Sequence, residues 1–264
     1  MAHKLSAAII AFNEEAKLSA CLSSLNFVDE ICLLDSGSTD KTREIAESFG
    51  AIVEIRHFDN FSSQKNAAIS STHGDWILLI DADERVTPEL QQSILNIVEN
   101  IETTKHSAFR LNRLNQIFGG KIRYGASGID QPIRLIRRGK AHYEGLVHEQ
   151  LEVSGSIGLL TGELTHITYQ TLDDYYKKFN LFSTLDAKEM LRRKDRIPSF
   201  GMMILRPWLE FFYYYIIKRG FLDGYRGFLY QVLSSYYVFI KYAKIRELAF
   251  TDKTKKNDMP NVIK

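Results

Sequence analysis

Asp81-Ala82-Asp83 follows directly on the apolar run Trp76–Ile80. In an extended chain residues i and i+2 face the same way, so both carboxylates point at one place and Ala82 points away. Two like charges ~5 Å apart repel by about 3 kcal/mol at an effective dielectric near 20. A divalent cation reverses that sign. Mg²⁺ or Mn²⁺ takes oxygen ligands, typically one or two carboxylates plus substrate phosphates. The same three residues also suit a solvated turn ahead of Thr87-Pro88, so both readings stand at this point.

A second polar stretch, "LLDSGSTDKT", ends another apolar run at Asp35 and continues through Ser36, Gly37, Ser38 and Asp40. A carboxylate here can accept bonds from a ribose or a base, and the small residues before a helix N-terminus suit a nucleotide phosphate. A simple capped turn is the alternative. Neither G-x-G-x-x-G nor G-x-x-x-x-G-K-[ST] is present, which excludes the ordinary dinucleotide and NTPase fingerprints.

These residues need elements to hold them level. Leu5–Phe12, Glu30–Leu34, Ala51–Ile55 and Trp76–Ile80 read as strands. Between them lie helices: one capped by Asn13 with Leu18, Cys21, Leu22 and Leu25 inward, one over 42–49 and one over 62–72. Thr87-Pro88 opens a further helix with Leu90, Ile94, Ile97, Val98 and Ile101 inward. This alternation predicts an α/β fold with a mostly parallel sheet and helices on both faces. Ligands bind such sheets beyond the carboxyl ends of the strands, where Asn13-Glu14, Asp35–Asp40 and Asp81–Asp83 all fall. Residues 105–170 carry short apolar pieces, with five glycines in 119–139, and predict short strands and loops folded over that sheet. From 172 the chain reads as helical, broken at Gly201, Gly220, Gly224 and Gly227, and 251–264 reads as a frayed tail.

At 264 residues and 45% hydrophobic, the chain suits one large domain with an appendage. Cys21 and Cys32 sit in apolar patterns and read as core thiols in a reducing compartment. "LSAAIIAF" runs into Asn13-Glu14-Glu15 without a cleavage site, so no signal peptide is expected. No run approaches the ~18 apolar residues of a membrane span. Net charge is +2, but 172–264 holds 18 Lys/Arg against 10 Asp/Glu, a net of +8 that leaves −6 for 1–171. An acidic first segment repels phosphate backbones and argues against nucleic acid as a partner.

Taken together, "AIIAFNEE", "LLDSGSTDKT" and "QKNAAISSTHGDWILLIDADERV" resemble the family 2 glycosyltransferases of GT-A, Rossmann-like fold. The resemblance implies a sugar-nucleotide donor. It puts Ala11, Asn13 and Glu14 along the nucleotide, Asp35 on uridine with Ser38 beside it, and Lys65 near the donor. It puts Asp81 towards the ribose and Asp83 on Mg²⁺ or Mn²⁺ at the diphosphate. Lys65 read alone is a helix-surface lysine. "QPIRLIRRGKAHYEGLVHEQL", "HITY" and "RGFLDGYRGF" are similar to lipopolysaccharide core β-1,4-glucosyltransferases.

By that resemblance the chain is an inverting, metal-dependent enzyme moving glucose from UDP-glucose onto an inner-core heptose. It needs a base for the acceptor hydroxyl. Glu149, after His148, falls at the base-bearing position, with Asp130 as the competitor. The residue-level alternative pairs Glu149 with Arg134, Arg137 or Arg138, arginines that can also serve phosphates. His166 falls where the family keeps a metal ligand or diphosphate contact. Alternatives left open are a polyprenyl-phosphate or protein acceptor, or a silent sugar-nucleotide-binding scaffold.

The expected organisation is a nucleotide-sugar-binding catalytic domain over 1–171, a helical extension over 172–250 and a flexible tail. The extension mixes aromatic rings with Arg206, Lys218, Arg219, Arg226, Lys241, Lys244 and Arg246. That combination suits a lipid headgroup zone as well as ring packing. The expectation is a cytoplasmic enzyme, peripheral on the inner face of the cell membrane, meeting anionic lipid and a lipid-anchored oligosaccharide acceptor.

Overall fold

The first strand, β1 (Leu5–Ala11), alternates its side chains between two apolar layers, and the sheet grows from it. In the computed structural model, which describes residues 4–145, 150–193 and 197–257, β1 pairs in parallel with β2 (Glu30–Asp35) and with β4 (Trp76–Leu79). Strand β3 (Ile52–Ile55) joins the outer side of β2, also in parallel. Leu5, Ala7, Ile9 and Ala11 pack with α1 (Glu15–Ser23), α2 (Thr42–Ser48) and α4 (Pro88–Glu99) on one face. Ala8, Leu34, Ile77 and Leu79 pack with α3 (Phe61–Ser70) on the other. Strands covered on both faces carry near-continuous apolar runs, as "ICLL" and "WILLI" do.

The α/β class and the helices on both faces hold. Residues 105–170 behave differently from expectation. Strands β6 (Ala108–Ile117), β8 (Ile133–Arg137) and β11 (Ile157–Tyr169) extend the sheet itself, in the order β3-β2-β1-β4-β8-β6-β11-β5. They add antiparallel pairing beyond β4, with Ile77 opposite Ile136 and Ala108 opposite Ile136. The short β5 (Glu84–Val86) closes this edge against β11, with Glu84 opposite His166. Gly162 (φ +90°) lets β11 pass the first turn of α4, because a Cβ there would lie 2.4 Å from the Leu90 nitrogen. A separate hairpin, β9 (Ala141–Glu144) and β10 (Gln150–Val153), packs Tyr143, Leu151 and Val153 beside α3.

The chain divides into two compact units, residues 1–114 with 130–167, and residues 115–129 with 168–264. In the second unit α5 (Leu172–Arg192) starts at a capping box between Thr171 and Asp174. It packs on α7 (Gly224–Asn257) through Tyr175, Phe179 and Leu233. Residues 115–129 include β7 (Gly120–Ile122) and join this unit through Asp223, which accepts from the Arg123 and Tyr124 amides at 3.1 and 2.9 Å.

Helix α6 (Phe200–Phe212) continues through a π-helical turn, Tyr213–Ile217, to a 3₁₀ turn, Gly220–Asp223. Gly220 and Gly224 do mark breaks. Gly201 and Gly227 lie inside helices instead. Gly227 is there for close approach: a Cβ would sit 2.2 Å from the Gly220 carbonyl oxygen.

Candidate active site

The register that sets Ala11 opposite Asp35 brings the carboxyl ends of β1 and β2 level. There the first unit opens a cleft of about 500 Å³. Ala11 and Glu14 line one wall, and Asp81, Ala82 and Asp83 another. His57, Phe58 and Phe61 form an aromatic side with Phe12 and Ser36, and the Phe58 and Phe61 rings meet edge to face at 5.0 Å. The sequence reading passed over these rings, and "HFDNF" between β3 and α3 was the available signal.

Asn13, Asp35 and Ser38 build the rim. Asn13 was expected to cap α1, but it takes a left-handed backbone (φ 53°) and its side chain makes no cap. Its Oδ1 accepts from the Thr39 amide at 2.9 Å, while its own amide donates to Ser38 Oγ at 2.9 Å. The first amides of α1 are met from the neighbouring loop: Glu14 N donates to Thr42 Oγ1 at 2.8 Å and Glu15 N to Asp40 Oδ2 at 3.1 Å. In return, the Lys41 amide donates to Glu15 Oε2 at 3.0 Å. Asp35 is fully buried. Its carboxylate accepts from the Gly37 and Ser38 amides at 3.0 and 2.9 Å and from Ser38 Oγ, with Arg43 Nε at 3.8 Å. Both of its oxygens are therefore engaged in shaping the loop that carries Ser36 into the cleft.

The Asp81–Asp83 segment is a turn, not an extended strand, closed by Glu84 N donating to the Asp81 carbonyl at 2.9 Å. The i, i+2 geometry expected of the pair therefore fails, and the two carboxylates meet different partners. Arg134, buried on β8, donates to Asp81 Oδ2 and, at 2.6 Å, to Glu84 Oε1. Arg113 on β6 reaches the same Glu84 oxygen at 3.3 Å. Glu84 Oε2 in turn accepts from the Asp81 amide at 3.0 Å. Burial pushes the Asp81 carboxyl up, but Arg134, aided by Lys65, outweighs it and holds the group below the usual carboxylate range. Burial dominates at Glu84 and raises its pKa in spite of Arg134. The protein's own guanidinium thus absorbs the repulsion that had suggested a cation at Asp81. Arg134 is therefore a buried ion-pair partner of Asp81 and Glu84.

Asp83 is the other half of the motif. His166 Nε2 lies 3.4 Å from its Oδ1 and Lys17 Nζ 3.6 Å from its Oδ2. The ladder between β5 and β11 sets this, with the Ile167 amide donating to the Asp83 carbonyl at 2.8 Å. One carboxylate and one imidazole would offer a cation two protein ligands. Such a donor pair fits a divalent cation that completes its shell with substrate phosphates and water. Among the described residues no group of three or more His, Cys, Asp and Glu is gathered for a metal.

Lys65 stands on α3 with its ammonium 4.9 Å from the Tyr143 ring centre. Asp130 is gripped by Arg113 at both oxygens, at 3.0 and 2.6 Å, which makes it part of the ion-pair chain behind Asp81. His148 and Glu149 lie outside the described residues. The strand leading to them is tied to α3: the Tyr143 amide donates to Asn66 Oδ1 at 2.7 Å and Asn66 Nδ2 to the Tyr143 carbonyl at 2.8 Å. Gln64, also buried on α3, donates to Ser36 Oγ at 3.0 Å. "QKN" contained both residues, but nothing local to it tells a helix-surface amide from a tether.

The family model for glycosyl transferase family 2 matches residues 6–142, just over half of the chain. The chain belongs to glycosyl transferase family 2. The match spans β1 to β9 and so includes every cleft-lining residue named above. The transferase is 31% identical over 253 residues to the lipopolysaccharide core biosynthesis glycosyltransferase LpsC of Rhizobium meliloti, covering 91% of each chain. It is 28% identical over 257 residues to an uncharacterized glycosyltransferase of Rickettsia typhi, covering 93% of this chain and 88% of the other. Among solved structures, that of S. aureus TarS covers 95% of the transferase and 92% of its own chain at 13% identity, with a TM-score of 0.47.

Proposed function

We propose that this transferase moves glucose from UDP-glucose, with inversion, onto a heptose of the lipopolysaccharide inner core. The core assignment rests on the likeness to LpsC across most of both chains. The observation that carries the chemistry is Asp83 in the wall of the cleft with His166 against it.

In this reading the nucleoside lies along Ala11, Glu14 and Ser36, and the diphosphate lies towards Asp83. Asp83 and His166 hold Mg²⁺ or Mn²⁺. Such a cation, when bound, supplies positive charge to a departing diphosphate. Arg134 keeps Asp81 oriented at the cleft wall, and Lys65 adds positive charge behind it. Glu149 takes the proton from the acceptor hydroxyl as that oxygen attacks the anomeric carbon. The pairing of Asp130 with Arg113 supports Glu149 as the base over its competitor. The acceptor is a lipid-anchored oligosaccharide met at the cytoplasmic face of the membrane, where the basic second unit provides the peripheral contact.

The test is donor hydrolysis across a panel of UDP-sugars, with Mg²⁺, with Mn²⁺ and with chelator. UDP-glucose turnover that needs the metal and falls at least about a hundredfold in Asp83→Ala is expected. Turnover unaffected by chelation would overturn the assignment of Asp83, and turnover of a different UDP-sugar would overturn the choice of glucose.

A further inference from the structure

Helix α6 is apolar nearly all round. Arg206 and Glu210 are its charged residues, and they pair with each other at 3.2 Å. A helix of that composition is normally buried. Yet among the described residues no side chain of α6 is buried. Met202, Leu205, Leu209, Phe212 and Ile216, three and four residues apart, form an outward stripe that runs into the π-helical turn, and each is exposed. The opposite side, Ile204, Pro207, Trp208 and Phe211, faces Phe228, Val232 and Phe239 of α7 across an open groove of about 500 Å³.

Length argues against a span. Helix α6 and the π-helical turn that continues it, residues 200–217, cover at most about 27 Å against the ~30 Å of a hydrocarbon core. No helix among the described residues is long and apolar enough to cross a membrane. Charge selects the occupant. The apolar stripe ends at Lys218 and Arg219, both exposed. The segment that contains it carries a net +8, so a second copy would be repelled and an anionic surface attracted.

We infer that α6 and the turn after it form an in-plane anchor for an anionic lipid bilayer. The outward stripe enters the acyl boundary, the groove against α7 takes a lipid chain, and Lys218 and Arg219 meet headgroup phosphates. This deepens the peripheral-contact clause of the proposed function by naming the element responsible.

The two tryptophans make a built-in test. Trp76 is 0% exposed and Trp208 is 62% exposed, so a lipid-induced change in emission reports on Trp208. Vesicles of phosphatidylglycerol and phosphatidylethanolamine should shift the emission to the blue and carry the full-length protein upward in flotation. Pure phosphatidylcholine should do neither. Leu205→Glu and Phe212→Glu should each lower vesicle partitioning by about tenfold or more, with thermal unfolding and UDP-sugar hydrolysis in solution unchanged. Hydrolysis in solution tests the transferase reading separately, so either idea can fail alone. An emission spectrum indifferent to anionic vesicles would overturn the proposal. So would a blue shift that follows protein concentration without lipid, with a dimer in sedimentation, because the stripe would then be an interface between copies.

Discussion

Arg134 decides how the acidic motif behaves. It sits buried between Asp81 and Glu84, so removing it leaves two carboxylates without their main counter-charge. Breaking a buried pair on one side costs about 3–5 kcal/mol. Arg134→Met should therefore lower unfolding free energy by that order in urea titration, far more than Arg138→Met, whose guanidinium donates to the Gly74 carbonyl. Arg134→Lys should fall between, because both bonds leave the one nitrogen Nη2, which an ammonium replaces in charge but with a different reach. An effect below ~1 kcal/mol for Arg134→Met would show that the pair contributes nothing net. This arrangement was not legible in advance. Two aspartates beside each other in sequence suggested one shared partner, and the real partner of Asp81 is 53 residues away.

At the scale of elements, legibility followed locality. The parallel strands and α4 announce themselves because burial on both faces, or on one stripe, writes a short-range pattern. Thr87-Pro88 and Leu90, Ile94 and Val98 did so for α4. Strand β11 has no such pattern: its 13 residues alternate imperfectly and include Gly158 and Gly162, which fit neighbours distant in sequence. The cap on α1 was misjudged for a related reason. Asn13 is the right residue type for its own helix, but the adjacent loop supplies the acceptors.

Gly227 offers a test at this scale. Alanine within a helix normally gains about 1 kcal/mol over glycine. Here the added methyl meets the Gly220 carbonyl oxygen at 2.2 Å and Asp223 Cβ at 2.8 Å. Overpacking of that kind costs about 1–3 kcal/mol, so Gly227→Ala should lower the urea midpoint rather than raise it.

Across the whole molecule the charge is divided, −6 in residues 1–171 and +8 beyond. Screening shortens the reach of surface charge from about 10 Å at 0.1 M salt to about 3 Å at 1 M. Raising salt over that range should release the protein from anionic vesicles by about tenfold or more, at ~1 kcal/mol per basic residue lost. Hydrolysis of UDP-sugar in solution should change far less, because its key contacts lie within a cleft. Parallel loss of both activities would mean that the basic segment also serves the donor. Most of the cations named from the sequence do not wait for lipid. Lys244 is held by Asn180, Ser183 and Thr184, and Arg246 donates to the Pro198 carbonyl, each fixing helices to their neighbours. Lys218 and Arg219 lie where the exposed stripe ends.

The reciprocal bonds between the turn after β1 and the turn after β2 also matter for anyone wishing to retool this enzyme. Asn13, Glu14 and Glu15 exchange bonds with Ser38, Thr39, Asp40, Lys41 and Thr42, so the two turns are one part with two pieces of backbone. A graft that imports only one of them to change donor choice brings half a joint and leaves amides of α1 without acceptors. Exchange of residues 12–15 together with 36–42 is the smallest transplant that keeps the joint whole.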